Sequence, residues 1–267
     1  MHAEGIAARS ARKTELEDAL IDAREHTLSI LADLAPDQWQ VPYHCGINPP
    51  RWEFGHIAWF TEWWVLREAH WNGRDEMVTR CPSLLPGTDE WFDSGRVPHV
   101  ERWTLDYPPL AELRDYARAV LDGVRVRLSG SNERELYSFR LALFHEDMHG
   151  EALTYMRQTL DYRAPFTRGV PALSGGNDDV EIPAGVFVRG SQPDDGFVFD
   201  NEKWANAIAL PASRISRQCV SNAAYAEFVE AGGYREPRWW SDQGRAWLDE
   251  TRQAHPQRWR KSGQVWA

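Results

Sequence analysis

Around Phe144-His145-Glu146-Asp147-Met148-His149, the apolar residues Leu136, Phe139, Leu143, Met156 and Leu160 recur at three- and four-residue steps. That period makes the stretch the middle of one long helix. Histidines four apart lie one turn above the other, so both imidazoles can face a single point and share an ion. A stable centre needs a third protein ligand and open positions for chemistry. The best-placed candidate is His56, which shares a helical face with Trp52, Phe60 and Trp63 and so looks inward.

Three more stripes accompany this helix. Leu16, Ala19, Leu20, Ala23, Thr27, Ile30, Leu31 and Leu34 predict a first helix over 11–34, stopped at Ala35-Pro36-Asp37. The helix carrying His56 is predicted to start at Pro50 or Arg51 and to reach about Trp71, where Asn72-Gly73 ends it. A third spans 110–128, and the fourth begins at Glu133 and closes at Pro165. Between the second and third, residues 74–109 read as an irregular passage of the kind that forms a binding loop or lid, with Trp91, Arg96 and Arg102 as its notable side chains. Four such helices with one long crossing connection predict a four-helix bundle, a fold that builds metal sites from facing helices.

The pattern changes after Arg168. Pro171 and Ser174-Gly-Gly-Asn-Asp178 form a polar linker, and the segments beyond it are short, alternating or β-branched, with one short helix over 222–231 ending at Gly232-Gly233. The expected organisation is multi-domain: a bundle over 1–172 and a loop-rich α+β region over 178–267. The second region has too few elements to bury Trp239, Trp240, Trp247, Trp259 and Trp266 together.

Composition narrows the partners. A net charge of −10 over 267 residues repels phosphate backbones and anionic lipid surfaces, so neither nucleic acid nor membrane is an expected partner. No apolar run has the length of a membrane span, and the first twelve residues lack the apolar core of a secretory signal, which makes a cytoplasmic location the expectation. Cys45, Cys81 and Cys219 are widely spaced and read as reduced thiols. The 14 tryptophans can serve as core or as stacking walls for sugars, heterocycles and cations.

Taken alone, His145-Glu-x-x-His149 matches the pattern of zinc peptidases, in which the glutamate acts as general base. A hydrolase of that type would lose its base on replacement of Glu146 by Gln, whereas a three-histidine centre would largely survive. Three imidazoles suit zinc, iron, copper or nickel alike. A binding module with a structural metal, or with none, is the non-enzyme alternative.

Two longer motifs go further. Asn48-Pro-Pro-Arg-Trp52-x-x-Gly-His56-x-x-Trp59-Phe60-x-Glu62 and His145-Glu-x-x-His149-x-Glu151 resemble the metal-ligand motifs of the DinB-like bundle in ergothioneine-type sulfoxide synthases. Downstream, residues 180–191, Phe199-Asp-Asn-Glu202 and the stretch from Cys219 to Tyr234 resemble the opening of the formylglycine-generating-enzyme-like, C-type-lectin-like domain that follows it. The resemblance implies a mononuclear non-haem Fe(II) enzyme that uses O2 to join a selenium or sulfur donor to the imidazole carbon of hercynine. His56, His145 and His149 would be the iron ligands, and Trp59, Phe60, Trp63, Met148 and Arg96 would contact substrate. The trimethylammonium group of hercynine suits aromatic faces.

The chain departs from that family in two places. Met148 stands where the family commonly has a substrate-contacting Gln, and the arginine-rich loop that holds the carboxylates of a peptide-like thiol donor is reduced to the stretch around Arg96 and Arg102. Both changes lean toward the selenoneine-synthase branch and a selenosugar donor rather than a carboxylate-bearing thiol. The family's second domain normally continues past the equivalent of Ala267, so the resemblance implies that this domain is incomplete and that the catalytic tyrosine lies beyond Ala267.

Overall fold

The computed structural model describes residues 7–74, 76–166, 178–193, 195–263 and 265–266. By its internal contacts the chain divides into one unit of Met1–Gly169 with Val188–Asn206, and a second of Val170–Phe187 with Ala207–Ala267. Apart from Asp178, the expected linker lies outside the described residues.

The first unit is a four-helix bundle. Helix α1 (Lys13–Leu31) packs on α4 (Leu110–Gly130) and α5 (Tyr137–Thr159); α2 (Pro50–Thr61) packs on the same two from the other side. Most of each expected stripe is buried: Leu16, Leu20, Ala23, Thr27, Ile30 and Leu31 on α1, and Leu113, Tyr116, Ala117, Val120 and Val124 on α4, where Leu121 is only half-buried and Leu128 joins the buried set. Polar groups tie the helices as well. Arg24 of α1 grips both carboxylate oxygens of Glu146 on α5 at 2.7 and 3.1 Å and donates to the Ala117 carbonyl of α4 at 2.9 Å. Arg157 does the same for the end of α1, holding Asp33 through two bonds and the Ile30 carbonyl at 2.6 Å.

Two helix ends differ from the predicted ones. Helix α2 does not continue to Trp71; it passes into a π turn, Glu62–Leu66, and stops where Glu68 takes a φ of 51°. His70 and Trp71 instead form strand β1 (His70–Trp71), paired with β2 (Met77–Val78). The apolar count cannot register a turn with five-residue bonds, and nothing in Glu68 itself marks it as left-handed; its carboxylate is held by Arg80 and Arg127. Helix α5 ends six residues before Pro165. The Tyr162 amide returns to the Arg157 carbonyl and the Asp161 amide to Gln158, a Schellman closure with Asp161 at φ 60° in the place glycine usually takes.

The passage over 74–109 is built into the core instead of standing apart as a lid. Glu62, fully buried, accepts from Ser83 Oγ, the Leu84 amide and the Tyr116 hydroxyl. Asp89 accepts from Trp59 Nε1 and from both terminal nitrogens of Arg67. Asp89 lies in the short helix α3 (Thr88–Phe92), whose Thr88 and Phe92 are completely covered.

The segment 188–206 also belongs to the bundle unit. Phe197 stacks on Phe144 with ring centroids 5.1 Å apart, its amide donates to the Arg9 carbonyl, and Arg9 pairs with Glu202 at 3.0 Å. In the second unit, β3 (Asp179–Ile182) pairs antiparallel with β6 (Ser213–Ser216), Val180 opposite Ile215. Strands β4 (Gly185–Arg189) and β5 (Asn206–Leu210) pair with each other where the chain passes between the two units. The predicted short helix is α6 (Asn222–Glu230), capped by Ser221 and followed by Gly232 at φ 82°. Helix α7 (Asp242–Thr251) and a small hairpin of β7 (Lys261–Ser262) and β8 (Val265–Trp266) complete it. Strands β4 and β6 are exposed along their whole length, and Trp239 and Trp247 remain exposed, as the shortage of elements implied. Among the described residues no helix is long and apolar enough to cross a membrane, and the three cysteines are free.

Candidate metal centre

Helix α2 brings His56 to the bundle interior, where α5 presents His145 and His149. The three offer ligand atoms that all lie within 4.8 Å of one another. His56 and His145 are buried and His149 is half-buried.

The proton positions follow from the outer partners. His56 Nδ1 lies 2.7 Å from the Phe92 carbonyl, which can only accept, so Nδ1 carries the hydrogen and Nε2 keeps its lone pair. His149 Nδ1 faces the Glu53 carboxylate, which makes the same assignment there. The freed Nε2 of His149 stands 3.1 Å from Nε2 of His145. Two metal–nitrogen bonds of about 2.1 Å at a right angle place their nitrogens about 3.0 Å apart, so the pair already has the spacing of adjacent ligands on one ion. His145 alone lacks an outer acceptor: its Nδ1 is buried without a partner, and the Phe60 ring lies face to face on it at 3.5 Å. Burial drives the pKa of His56 down to about 4 and that of His145 well below the ordinary value, so both rings stay neutral, the ligating form.

An outer layer holds this arrangement. Glu53 precedes His56 by three residues on the same face; burial would raise its pKa, but the bonds from His149 and Asn48 hold it below the usual value, so it is an anion. Asn48 Nδ2 donates to Glu53 Oε1 at 2.7 Å, and Arg102 donates to Asn48 Oδ1 at 2.8 Å. Arg102 also lies over the Trp52 ring at 3.9 Å while His56 stacks on Trp52 at 4.5 Å. Two groups cannot share one face at those distances, so Trp52 is sandwiched between them.

Gly55 explains how Phe92 reaches His56. A Cβ there would fall 2.2 Å from the Phe92 ring, so only glycine admits α3 this closely. Gly55→Ala is expected to cost roughly 1–3 kcal/mol through overpacking. It should also weaken metal binding by about tenfold or more as the Phe92 carbonyl withdraws. Thermal melts and chelator competition check the two effects separately; an unchanged metal affinity would remove Phe92 from the site.

Residues 19–153 match the family model described as the DinB superfamily, and residues 170–265 match that of the sulfatase-modifying factor enzyme 1-like domain. The chain belongs to the DinB superfamily. It is 33% identical over 261 residues to a hercynine oxygenase of Mycolicibacterium thermoresistibile, covering 94% of this chain and 56% of that protein. To those of Mycolicibacterium smegmatis and Mycobacterium tuberculosis it is 31% and 29% identical, covering 95% and 92% of this chain and 58% and 57% of theirs. It thus spans little more than half the length of these relatives. A DinB bundle followed by a domain of the second kind, with such relatives, fits the ergothioneine-type sulfoxide synthase superfamily.

Within this DinB bundle the residues named from the motif fall in different places. Phe60 and Met148 line one cavity of about 680 Å³, together with Trp64, Trp71, Tyr137 and Phe199. Trp59 and Trp63 are buried beside each other, Trp59 committed to Asp89 and Trp63 under the Arg67 guanidinium. Arg96 is 60% exposed and pairs with Asp93. Glu146 faces α1 and Arg24, away from the histidine cluster. The motif reading passed over Glu53 and Phe92. An acidic residue one turn before an inward histidine was the available sign of the first; a backbone carbonyl leaves none in the sequence.

Proposed function

We propose that His56, His145 and His149 hold one Fe(II), and that the enzyme uses O2 to form a C–Se or C–S bond between hercynine and a selenosugar or thiol donor. The observation that carries the reading is the convergence of the three imidazoles, two of them oriented from outside by Phe92 and Glu53. Bound iron would supply a site at which O2 and a chalcogen donor meet, so that their reaction becomes effectively intramolecular. The chain's own part is to keep His56 and His145 neutral, to aim His56 and His149 through Phe92 and Glu53, and to surround the site with aromatic rings.

The hercynine oxygenases among the relatives support the substrate, and the cavity lined by Phe60, whose ring stacks on that of His145, supports its placement. Phe60, Trp64, Trp71 and Tyr137 offer the faces that attract a trimethylammonium group, and Met148 adds an apolar wall where a hydrogen-bonding Gln is common. The selenosugar branch rests on Met148 and on Arg96, whose guanidinium is taken by Asp93. In this reading the bundle domain spans 1–172 and the second domain 178–267, of which residues 188–206 group with the bundle by their contacts. A hydrolase is disfavoured because Glu146, its would-be base, is locked by Arg24 on another face.

The test is anaerobic loading with Fe(II), followed by oxygen uptake with hercynine and a panel of seleno-sugars and thiols. One ion per chain is expected, lost on replacing any of the three histidines by Ala, with hercynine perturbing the iron spectrum. Retention of the ion in all three variants would sink the proposal.

A further inference from the structure

Arg102, which lies over the Trp52 ring, borders one of two adjoining cavities, and Arg51 and Arg114 complete a set of three arginines around them. Arg51 and Arg102 line a cavity of about 240 Å³, and Arg51 and Arg114 line a neighbouring one of about 410 Å³. Trp39 borders both. No Asp or Glu lines either cavity among the described residues. In a chain of net charge −10, a doubly cationic recess needs a physical account.

The arginines are only partly satisfied. Arg51 donates to the Pro108 carbonyl at 2.6 Å, and Arg102 to Asn48 Oδ1 and the Val97 carbonyl. Arg114 lies over Trp39 at 5.9 Å. These partners are neutral and leave the positive charge in place. The Nε–H groups of Arg51 and Arg102 are both buried without any acceptor. A buried donor left unmet costs about 1–3 kcal/mol, so neither guanidinium is fully satisfied by the protein around it. The nearest anion in charge terms is Glu53, which acts on Arg102 from across Asn48 and is already bonded to His149.

We propose that the recess between Arg51 and Arg102 binds a small oxyanion, a phosphate or an organic carboxylate, held by the two guanidiniums against the Trp39 and Tyr107 rings. Planar guanidinium forks suit both anions. The site is separate from the histidine cluster, none of whose members lines either cavity. It does not depend on which metal, if any, the histidines take.

The test uses the full chain and two probes, inorganic phosphate and benzoate, each titrated by calorimetry and in thermal melts against chloride at equal ionic strength. Saturable binding of at least one probe is expected, with a dissociation constant of about 1 mM or tighter. Whichever probe binds tells whether the site is built for a phosphate or a carboxylate. Arg51→Gln is expected to weaken it by about tenfold or more, the loss of one charge-assisted partner. Gln40→Glu, at an exposed position lining both cavities, is expected to do the same by supplying an internal carboxylate, and it serves if Arg51→Gln does not fold. Binding that chloride reproduces, or that persists unchanged in the folded variants, overturns the proposal.

Discussion

Glu146→Gln is expected to lower the stability of the bundle by about 3–5 kcal/mol, because it removes one partner of a buried ion pair. Arg24 and Glu146 are both almost fully covered, and the guanidinium uses Nε and Nη2 on the two carboxylate oxygens. An amide in that place keeps one acceptor and turns the other into a donor facing a donor. The charge of Arg24 is then left in the core with only the Ala117 carbonyl. The melting temperature should fall by on the order of 10 °C. Metal affinity of the molecules that remain folded should change little, since Glu146 touches none of the three histidines. Arg24→Met combined with Glu146→Leu should recover most of the loss, as apolar replacements of buried pairs commonly do. A Glu146→Gln protein that melts like the parent but cannot hydrolyse a substrate would revive the peptidase reading. Replacement of Glu146 is therefore a test of the fold before it is a test of catalysis, which the sequence pattern alone concealed.

That case shows where the residues were readable and where they were not. The four stripes of apolar side chains determine which faces meet, because burial at helical period is a property of the residues themselves; Leu16 and Val120 end at 0% exposure as their spacing implies. The histidine cluster was legible for the same reason: position on an inward face at four-residue spacing is written in the order of the chain. What was not legible depends on partners far away in sequence. Glu146 reads as a base until Arg24, 122 residues earlier, is seen to hold it. Residues 74–109 read as a loose connection until Glu62 and Asp89 are seen to pin them to helices. The π turn and the left-handed Glu68 are backbone states that no local composition signals. In the second unit the short strands were legible, but their exposure on both faces is a matter of which segments come to cover them.

Glu53→Gln is expected to weaken metal binding by 10- to 100-fold, on the order of what loss of an outer carboxylate on a ligating histidine does. Glu53 accepts the Nδ1 hydrogen of His149 and thereby makes the opposite nitrogen a better donor to an ion. Gln accepts the same hydrogen with no charge behind it. Its amide group would also meet the Nδ2 of Asn48, which Arg102 fixes by bonding to Oδ1, so Asn48 cannot turn over without leaving that guanidinium unmet. The cost is thus felt along the whole line from Arg102 to His149. In the absence of metal the same substitution removes a buried charge, so the stability of the metal-free chain should fall far less than that of Glu146→Gln. The comparison is decisive because the two glutamates are almost equally buried, at 3% exposure each, and lie in one bundle. If Glu53 orients a ligand and Glu146 braces the fold, chelator competition separates wild type from the Glu53 variant and leaves the Glu146 variant near wild type. Thermal melts of the metal-free proteins should rank them the other way. Equal metal affinity for wild type and Glu53→Gln would mean that His149 is not a ligand, and the centre would lose the nitrogen that stands 3.1 Å from His145.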